Sequence, residues 1–316
     1  MSSTEFYRVF GGILKSDLEI PDLHPIEPVP EVTWRLRKAT DEIEPFGGET
    51  LGTEPVTSKA NVTLLRRGEE YRLDFEDTGA FDVLDGGHEI IWYPKSDSDH
   101  EAAAVDVLGR CLPLAFHAGG SLCLHGSAVA FDHGTIAFLA PKHHGKSTTA
   151  LALARSGARL VSDDALPVTL TDPPLAYPGV HSVRLWADSA EQVAFDRESR
   201  VGIAGKLVVN DLKGADVMDE PSPLSAVYLI APILADADKP AANRTKTNSI
   251  EATLAMVGQA KVGGLLTGSE APRSLERASR IADKVPVYRL ELMRDFDRLD
   301  EVVGLIRSWH AELIAP

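Results

Sequence analysis

The segment Leu139-Ala-Pro-Lys-His-His-Gly-Lys-Ser-Thr148 constrains this chain more than any other. It follows an apolar run, Ile136–Leu139, that reads as a buried strand, and it opens a stretch, Lys146–Ser156, that reads as a helix. Strand, short loop and helix in that order predict an α/β core. The loop matches G-x-x-x-x-G-K-[ST] at Gly145, Lys146 and Ser147, with Ala140 where the first glycine of the pattern belongs. A loop of that length turns backbone N–H groups inward at the positive end of a helix dipole, which suits a phosphate group. Gly145 lets the backbone approach closely, Lys146 would reach the β- and γ-phosphates, and the Ser147 hydroxyl would ligate Mg²⁺. The candidate nucleotide contacts are therefore Ala140, Pro141, Lys142, His143, His144, Gly145, Lys146, Ser147 and Thr148. The competing interpretation is an ordinary helix start with Ser147 near its cap. His143 and His144 are either solvated loop residues or extra positive charge beside the phosphates.

Two further features lie at suggestive distances. Asp163 and Asp164 end the short strand Arg159-Leu-Val-Ser162, seventeen and eighteen residues after Lys146. Carboxylates at the carboxyl end of a neighbouring parallel strand can hold Mg²⁺ or accept a proton from an attacking hydroxyl. The bland alternative is that they cap a turn. His125, in Cys123-Leu-His-Gly-Ser127, is either a satisfied core histidine or a site residue approached through Gly126.

The rest of the sequence sets limits. With 316 residues the chain is long enough for one large or two ordinary domains, and 44% apolar with 25% charged residues excludes disordered and fibrous classes. The formal charge of −15 opposes a large nucleic-acid footprint. The 21 residues between Arg110 and Asp132 carry no formal charge, but Pro113, His117, Gly119, Gly120 and His125 interrupt them, so no membrane span is expected. Two cysteines, Cys111 and Cys123, and an amino terminus without a signal-peptide layout fit a reduced cytoplasmic setting.

The first ninety-odd residues read as short strands: Glu5–Ile13, Val32–Lys38, Val62–Arg67, Tyr71–Glu76 and Glu89–Tyr93. They predict a mostly antiparallel β module over residues 1–96. A polar break at 95–100, with Ser98 or Asp99 as a helix cap, leads into a helix over Ala102–Phe116 whose regular part Pro113 ends. The catalytic-type core then occupies 97–316, with strands at Leu122–Phe131, Thr135–Leu139, Arg159–Ser162, Ala226–Ile230 and Val287–Glu291. Helices are expected at Glu251–Val257, Ser274–Asp283 and Leu299–Leu313. Arg184 and Trp186 either line the substrate side of the pocket or form one face of a strand near it, and Lys206, Lys213, Arg273, Arg277 and Arg280 are either an acidic or phosphate contact or solvated surface charges.

His125-Gly126, a strand, the Gly145-Lys146-Ser147 loop, a helix and Leu160-Val-Ser-Asp-Asp164 together resemble the catalytic core of the HPr kinase/phosphorylase family. Weaker similarity to the wider set of HPr-kinase-like serine kinases, including those that tailor lasso peptides, continues through Tyr177–Trp186, Pro223–Tyr228 and Val285–Arg289. The resemblance implies an α/β fold with a P-loop kinase core, ATP and Mg²⁺ as cofactors, and assembly into homo-oligomers. It implies phosphoryl transfer to a hydroxyl, a serine of a peptide or small protein or else a small metabolite. Residue by residue, it makes Asp164 the proton acceptor, His125 a catalytic-site residue near the phosphates, and Lys146 the phosphate-loop lysine. Ser147 becomes the metal-binding hydroxyl, and Asp163 orients metal or water. A metal-binding Glu found in the bifunctional members has no counterpart around Val183–Trp186. Two other classes stay open: a non-catalytic ATP-binding sensor or scaffold, and a phosphoserine phosphorylase or hydrolase.

Overall fold

A computed structural model of the chain describes residues 4–180, 183–185, 199–201, 207–209, 216–234, 236 and 238–312. Two compact units emerge: Met1–Cys123 with Ala260–Ala278, and Leu124–Gln259 with Ser279–Pro316.

The first unit is built on an eight-stranded sheet. In chain order its strands are β1 (Glu5–Val9), β2 (Gly12–Ser16), β3 (Trp34–Lys38), β4 (Glu49–Pro55), β5 (Asn61–Arg67), β6 (Glu70–Phe75), β7 (Gly79–Leu84) and β8 (Glu89–Tyr93). Their spatial order is β1-β2-β3-β8-β7-β6-β5-β4. The β2–β3 and β3–β8 pairings are parallel and the others antiparallel, so the sheet is mostly antiparallel as its sequence suggests.

Three local expectations change. Glu5–Ile13 is not one strand but the start of a hairpin, because Phe10 and Gly11 adopt φ of 50° and 69° and turn the chain back. Strands β4 and β7 carry weak sequence signals for different reasons. β4 ends the sheet with exposed Glu49 and half-buried Glu54, and β7 buries Asp82, whose carboxylate is held by the Arg72 guanidinium at 2.5 and 2.8 Å. Beyond the sheet, Asp99 caps helix α1 (His100–Asp106) by accepting from the Glu101 and Ala102 amides. A widened turn, Val107–Cys111, joins it to α2 (Leu112–Ala118). Pro113 opens α2 instead of ending a helix, since a first-turn N–H has no intrahelical partner to lose. Both helices belong with the sheet, and the unit thus extends past the 1–96 module expected from sequence.

Inside this unit Asp106 is buried, 3% exposed, and accepts a hydrogen bond of 2.7 Å from the Thr78 hydroxyl. Burial pushes its carboxyl up to about 7, against the opposing pull of that bond and of Arg110. A raised acid pKa means the folded chain keeps a proton that the unfolded chain releases near pH 4, so stability falls as pH rises from about 4 to about 7. Asp106→Asn, with no proton to lose, should match the parent at about pH 3.5, below the carboxyl's unfolded-state pKa, and exceed it at pH 8 by roughly 1–4 kcal/mol. Denaturant titrations of both proteins at the two pH values check this, and parallel pH profiles would refute it.

The second unit centres on a mixed sheet. A short strand β9 (Leu122–Leu124) ends at His125, and β10 (Gly126–Phe131), β11 (Gly134–Leu139), α3 (Lys146–Arg155) and β12 (Arg159–Ser162) follow. Next come β13 (Leu166–Val168), β14 (Leu175–Ala176) and a small antiparallel sheet of β15 (Val183–Leu185), β16 (Ser199–Val201) and β17 (Leu207–Val209). The chain returns through β18 (Ser222–Ile233), β19 (Ala242–Lys246), α4 (Ser249–Gly258), α5 (Ala271–Ala282), β20 (Val287–Met293) and α6 (Leu299–Glu312), the unit boundary falling within α5. Strands β11, β18 and β20 run parallel at the centre, with β10 antiparallel to β11, β12 antiparallel to β10, and β19 antiparallel to β20.

The apolar alternation of the central strands explains what covers them. Ile136 and Phe138 of β11, Ala226, Tyr228 and Ile230 of β18, and Leu290 and Leu292 of β20 share one face. That face packs on Leu151 and Ala154 of α3 and on Val302 and Ile306 of α6 in one buried cluster. The alternate residues Ala137, Leu139 and Val227 are buried too, as the continuous apolar run of β11 predicts for a strand covered on both faces. An α/β fold is thereby seen directly. Among the described residues no helix is long and apolar enough to cross a membrane.

Candidate functional site

Topology delivers the candidate residues to one edge of the second unit's sheet. Because β10 is antiparallel to both β11 and β12, the carboxyl ends of β11 and β12 and the amino end of β10 meet there. The registers Gly126↔Leu139 and Ala128↔Ser162 place His125, Ala140 and Asp163 at neighbouring positions on that edge. Sequence alone suggests that the acidic strand is the direct parallel neighbour of β11. Instead β10 lies between them, and this intervening strand is what brings His125 and Ser127 into the site. Gly126 is required by the fit: a Cβ there would stand 2.6 Å from Leu139 Cδ2 and 2.9 Å from the Phe138 carbonyl.

The loop between β11 and α3 contains two residues in the left-handed region, His143 at φ 66° and Gly145 at φ 89°. Gly145 is the N-cap of α3 and provides no side chain, so no side-chain bond closes the helix's first N–H groups. Successive amides in such a turn form a concavity that suits an anion. Lys146 is buried, and its ammonium donates to the Ala140 and Pro141 carbonyls at 2.7 and 3.2 Å, folding back along the loop. His144 Nδ1 lies 2.8 Å from the Lys142 carbonyl. Pro141, Lys142 and His143 are exposed and Thr148 half-buried, while Ala140 is buried at the strand end.

Asp163 ties three elements together. Its Oδ1 accepts from the Ser127 hydroxyl of β10 at 2.6 Å and from the Ser147 hydroxyl of α3 at 2.8 Å. Asp164, at φ 73°, has a half-buried side chain whose Oδ1 lies 3.2 Å from His125 Nδ1, and the same nitrogen is 3.1 Å from the Asp164 carbonyl. With Nδ1 facing Asp164, the other ring nitrogen of His125, Nε2, is enclosed and has no hydrogen-bond partner among the described residues. A buried polar atom left this way is costly unless a ligand or water meets it. The backbone of His125 is fixed by its N–H, which donates to the Gln259 carbonyl at the end of α4 at 2.6 Å.

The donor chemistry suits a hard cation. Ser147 Oγ and Asp163 Oδ1 are both oxygen donors, already within 2.8 Å of one another beside the helix terminus. Among the described residues no cluster of three or more His, Cys, Asp or Glu side chains could cage a metal. Mg²⁺ needs no such cage, because it keeps waters and phosphate oxygens and takes only one or two carboxylates from protein.

Other candidates fall elsewhere. Arg273 pairs with Glu69 at 3.1 Å and with buried Glu270 at 3.3 Å, and Arg277 donates to the His117 and Ser121 carbonyls, so both serve the first unit. His117 is held below its usual pKa by burial, and with Arg277 on Nδ1 its Nε2–H donates to Glu270 at 2.8 Å. Trp186, Lys206 and Lys213 and the side chain of Arg184 lie outside the described residues. Three partners escaped the sequence reading: Ser127, Gln259 and Arg294, whose guanidinium donates to the His143 carbonyl at 3.0 Å. Ser127 stood beside His125-Gly126 and could have been found from strand alternation. Gln259 and Arg294 are more than a hundred residues from their partners and carry no local signal.

Among proteins of known structure, the chain is similar to the Hpr(Ser) kinase/phosphatase from Coxiella burnetii, at 11% identity over 61% of this chain and 99% of that one, with a TM-score of 0.33. A likeness of that size carries no argument about activity. No protein-family model matches the chain, and no curated protein matches it. The functional reading therefore rests on the site.

Proposed function

We propose that this chain is an ATP- and Mg²⁺-dependent kinase that transfers the γ-phosphoryl group to a hydroxyl, that of a serine in a peptide or small protein. The observation that carries the reading is the convergence of Lys146, Ser147, Asp163, Asp164 and His125 on one sheet edge, around a helix terminus with no side-chain cap. In this reading residues Ala140–Thr148 form a phosphate loop whose amides face the nucleotide phosphates. Lys146 leaves its loop carbonyls for the β- and γ-phosphates, adding a fixed cation where charge spreads in phosphoryl transfer. Ser147 and Asp163 hold Mg²⁺, which supplies charge neutralisation at the phosphate oxygens when bound.

Asp164 accepts the proton of the attacking hydroxyl, and His125 Nδ1 orients its carboxylate. With both ring nitrogens protonated, Nε2 of His125, which has no partner among the described residues, would donate to a phosphoryl oxygen. Such a site works chiefly by positioning and electrostatic stabilisation, and every group named is anchored on a strand end or the helix.

The test is a transfer assay with γ-labelled ATP, Mg²⁺ and a panel of serine peptides, small proteins and small hydroxyl compounds. Label on an acceptor serine supports the proposal. Release of free phosphate alone would make the chain a hydrolase, and nucleotide binding with neither outcome would make it a sensor.

A further inference from the structure

Arg294 is the first residue after β20, which runs parallel to β18 and through it to β11. It therefore stands at the same sheet edge as the loop at 140–145, and its own N–H is held by the Ile233 carbonyl at the end of β18. Its side chain is exposed, yet it is not turned out to solvent. The guanidinium donates from Nη2 to the carbonyl of His143 at 3.0 Å, and this is its one side-chain bond among the described residues. The end of the same strand also abuts the next glycine, since Leu292 Cδ2 lies 3.6 Å from where a Gly145 Cβ would be.

The bonded carbonyl belongs to a residue that needs holding. His143 occupies the left-handed region at φ 66°, where a side chain costs about 1–2 kcal/mol and glycine is the usual choice. In a trans peptide the C=O of one residue and the N–H of the next point in opposite directions. A guanidinium that fixes the His143 carbonyl on the β20 side therefore fixes the His144 N–H on the opposite side. His144 lies between the two left-handed residues, where the loop forms its concavity.

We propose that Arg294 is a positioning residue for the nucleotide: by pinning the His143 carbonyl it holds the 143–144 peptide with its amide toward the phosphates. It compensates for a loop that has histidine where a freer residue would relax into place. The inference rests on the kinase reading above and names a part of that site which the motif does not contain.

The test compares the full chain with Arg294→Met, Arg294→Lys and, as a reference, Lys146→Ala. Binding of a non-hydrolysable ATP analogue with Mg²⁺ is measured by calorimetry, and amide exchange of residues 141–146 is measured without nucleotide. Arg294→Met should weaken analogue binding about tenfold, the worth of one charge-assisted hydrogen bond, and speed exchange across the loop. The melting temperature without nucleotide should not move, because the side chain is exposed. Arg294→Lys, which can still donate to the same carbonyl, should recover most of both losses. In turnover, KM for ATP should rise in Arg294→Met while kcat and the acceptor KM stay unchanged, which a general loss of structure would not produce. If the full chain binds the analogue, Lys146→Ala weakens binding on the order of 10²-fold and Arg294→Met binds within twofold of the parent, the role of Arg294 is overturned and the kinase reading stands. A drop in melting temperature in both Arg294 variants would also overturn it, making the residue structural. Failure of the full chain itself to bind the analogue would remove the kinase reading and this inference together.

Discussion

Asp164→Asn should lower turnover by roughly 10²–10⁴, the usual worth of a positioned general base, while leaving ATP affinity close to that of the parent. The substitution is a clean one on physical grounds. Asp164 sits at φ 73°, a conformation that Asn accommodates about as well as Asp, so the backbone at the end of β12 need not move. The amide oxygen can still meet His125 Nδ1, now 3.2 Å from the carboxylate. What is lost is the proposed ability to take a proton from the acceptor hydroxyl. Single-turnover transfer measured beside nucleotide binding separates the two effects. If the variant retained near-normal turnover, the base would lie elsewhere, and His125 would be the next group to change.

Lys146→Ala should lose both, with nucleotide affinity falling on the order of 10²-fold and transfer abolished. In the chain as it stands, the Lys146 ammonium bridges the Ala140 and Pro141 carbonyls. Its removal therefore takes away a fixed cation and a brace of the loop at once. The fold should persist, since α3 is anchored by Leu151 and Ala154 in the buried cluster one to two turns further along. Calorimetry with an ATP analogue, with circular dichroism to confirm folding, is the measurement. Transfer at the parent rate would refute the phosphate-loop reading.

The parts of this molecule that could be read in its sequence are those whose cause is local. The strand before the loop, the helix after it and the strand Arg159–Ser162 follow from short apolar runs and the residues that punctuate them, and the structure has them within a residue or two. Asp99 is a cap because a side-chain oxygen two residues before a helical amide can reach it. What could not be read is set by partners far along the chain. Strand β19 has polar residues such as Asn243, Arg244 and Lys246, and it is a strand because β20 offers it a ladder. β7 hides Asp82, which a pattern of apolar residues would reject, because Arg72 is waiting across the strand. The site divides along the same line. His125, the loop and the acidic pair could be named from spacing, whereas the strand between them and the grip of Arg294 on the loop are products of topology.

The hairpin of β10 and β11 has a consequence for which changes such a chain can absorb. Its six residue pairs run from Phe131↔Gly134 beside the turn to Gly126↔Leu139 beside the site, a span of about 17 Å. His125 and Ala140 are the free ends of that ladder, so their alignment depends on how many residues make the turn at Asp132 and His133 and hardly at all on which ones. Replacing either side chain leaves the count intact. Adding one residue forces either a bulge or a slip, and a slip of one pair would exchange the two buried faces of a strand and shift His125 against the loop by a full step. The remote turn thus acts as a gauge for the candidate site's edge: its side chains can be exchanged with little effect there, while a change in its length cannot.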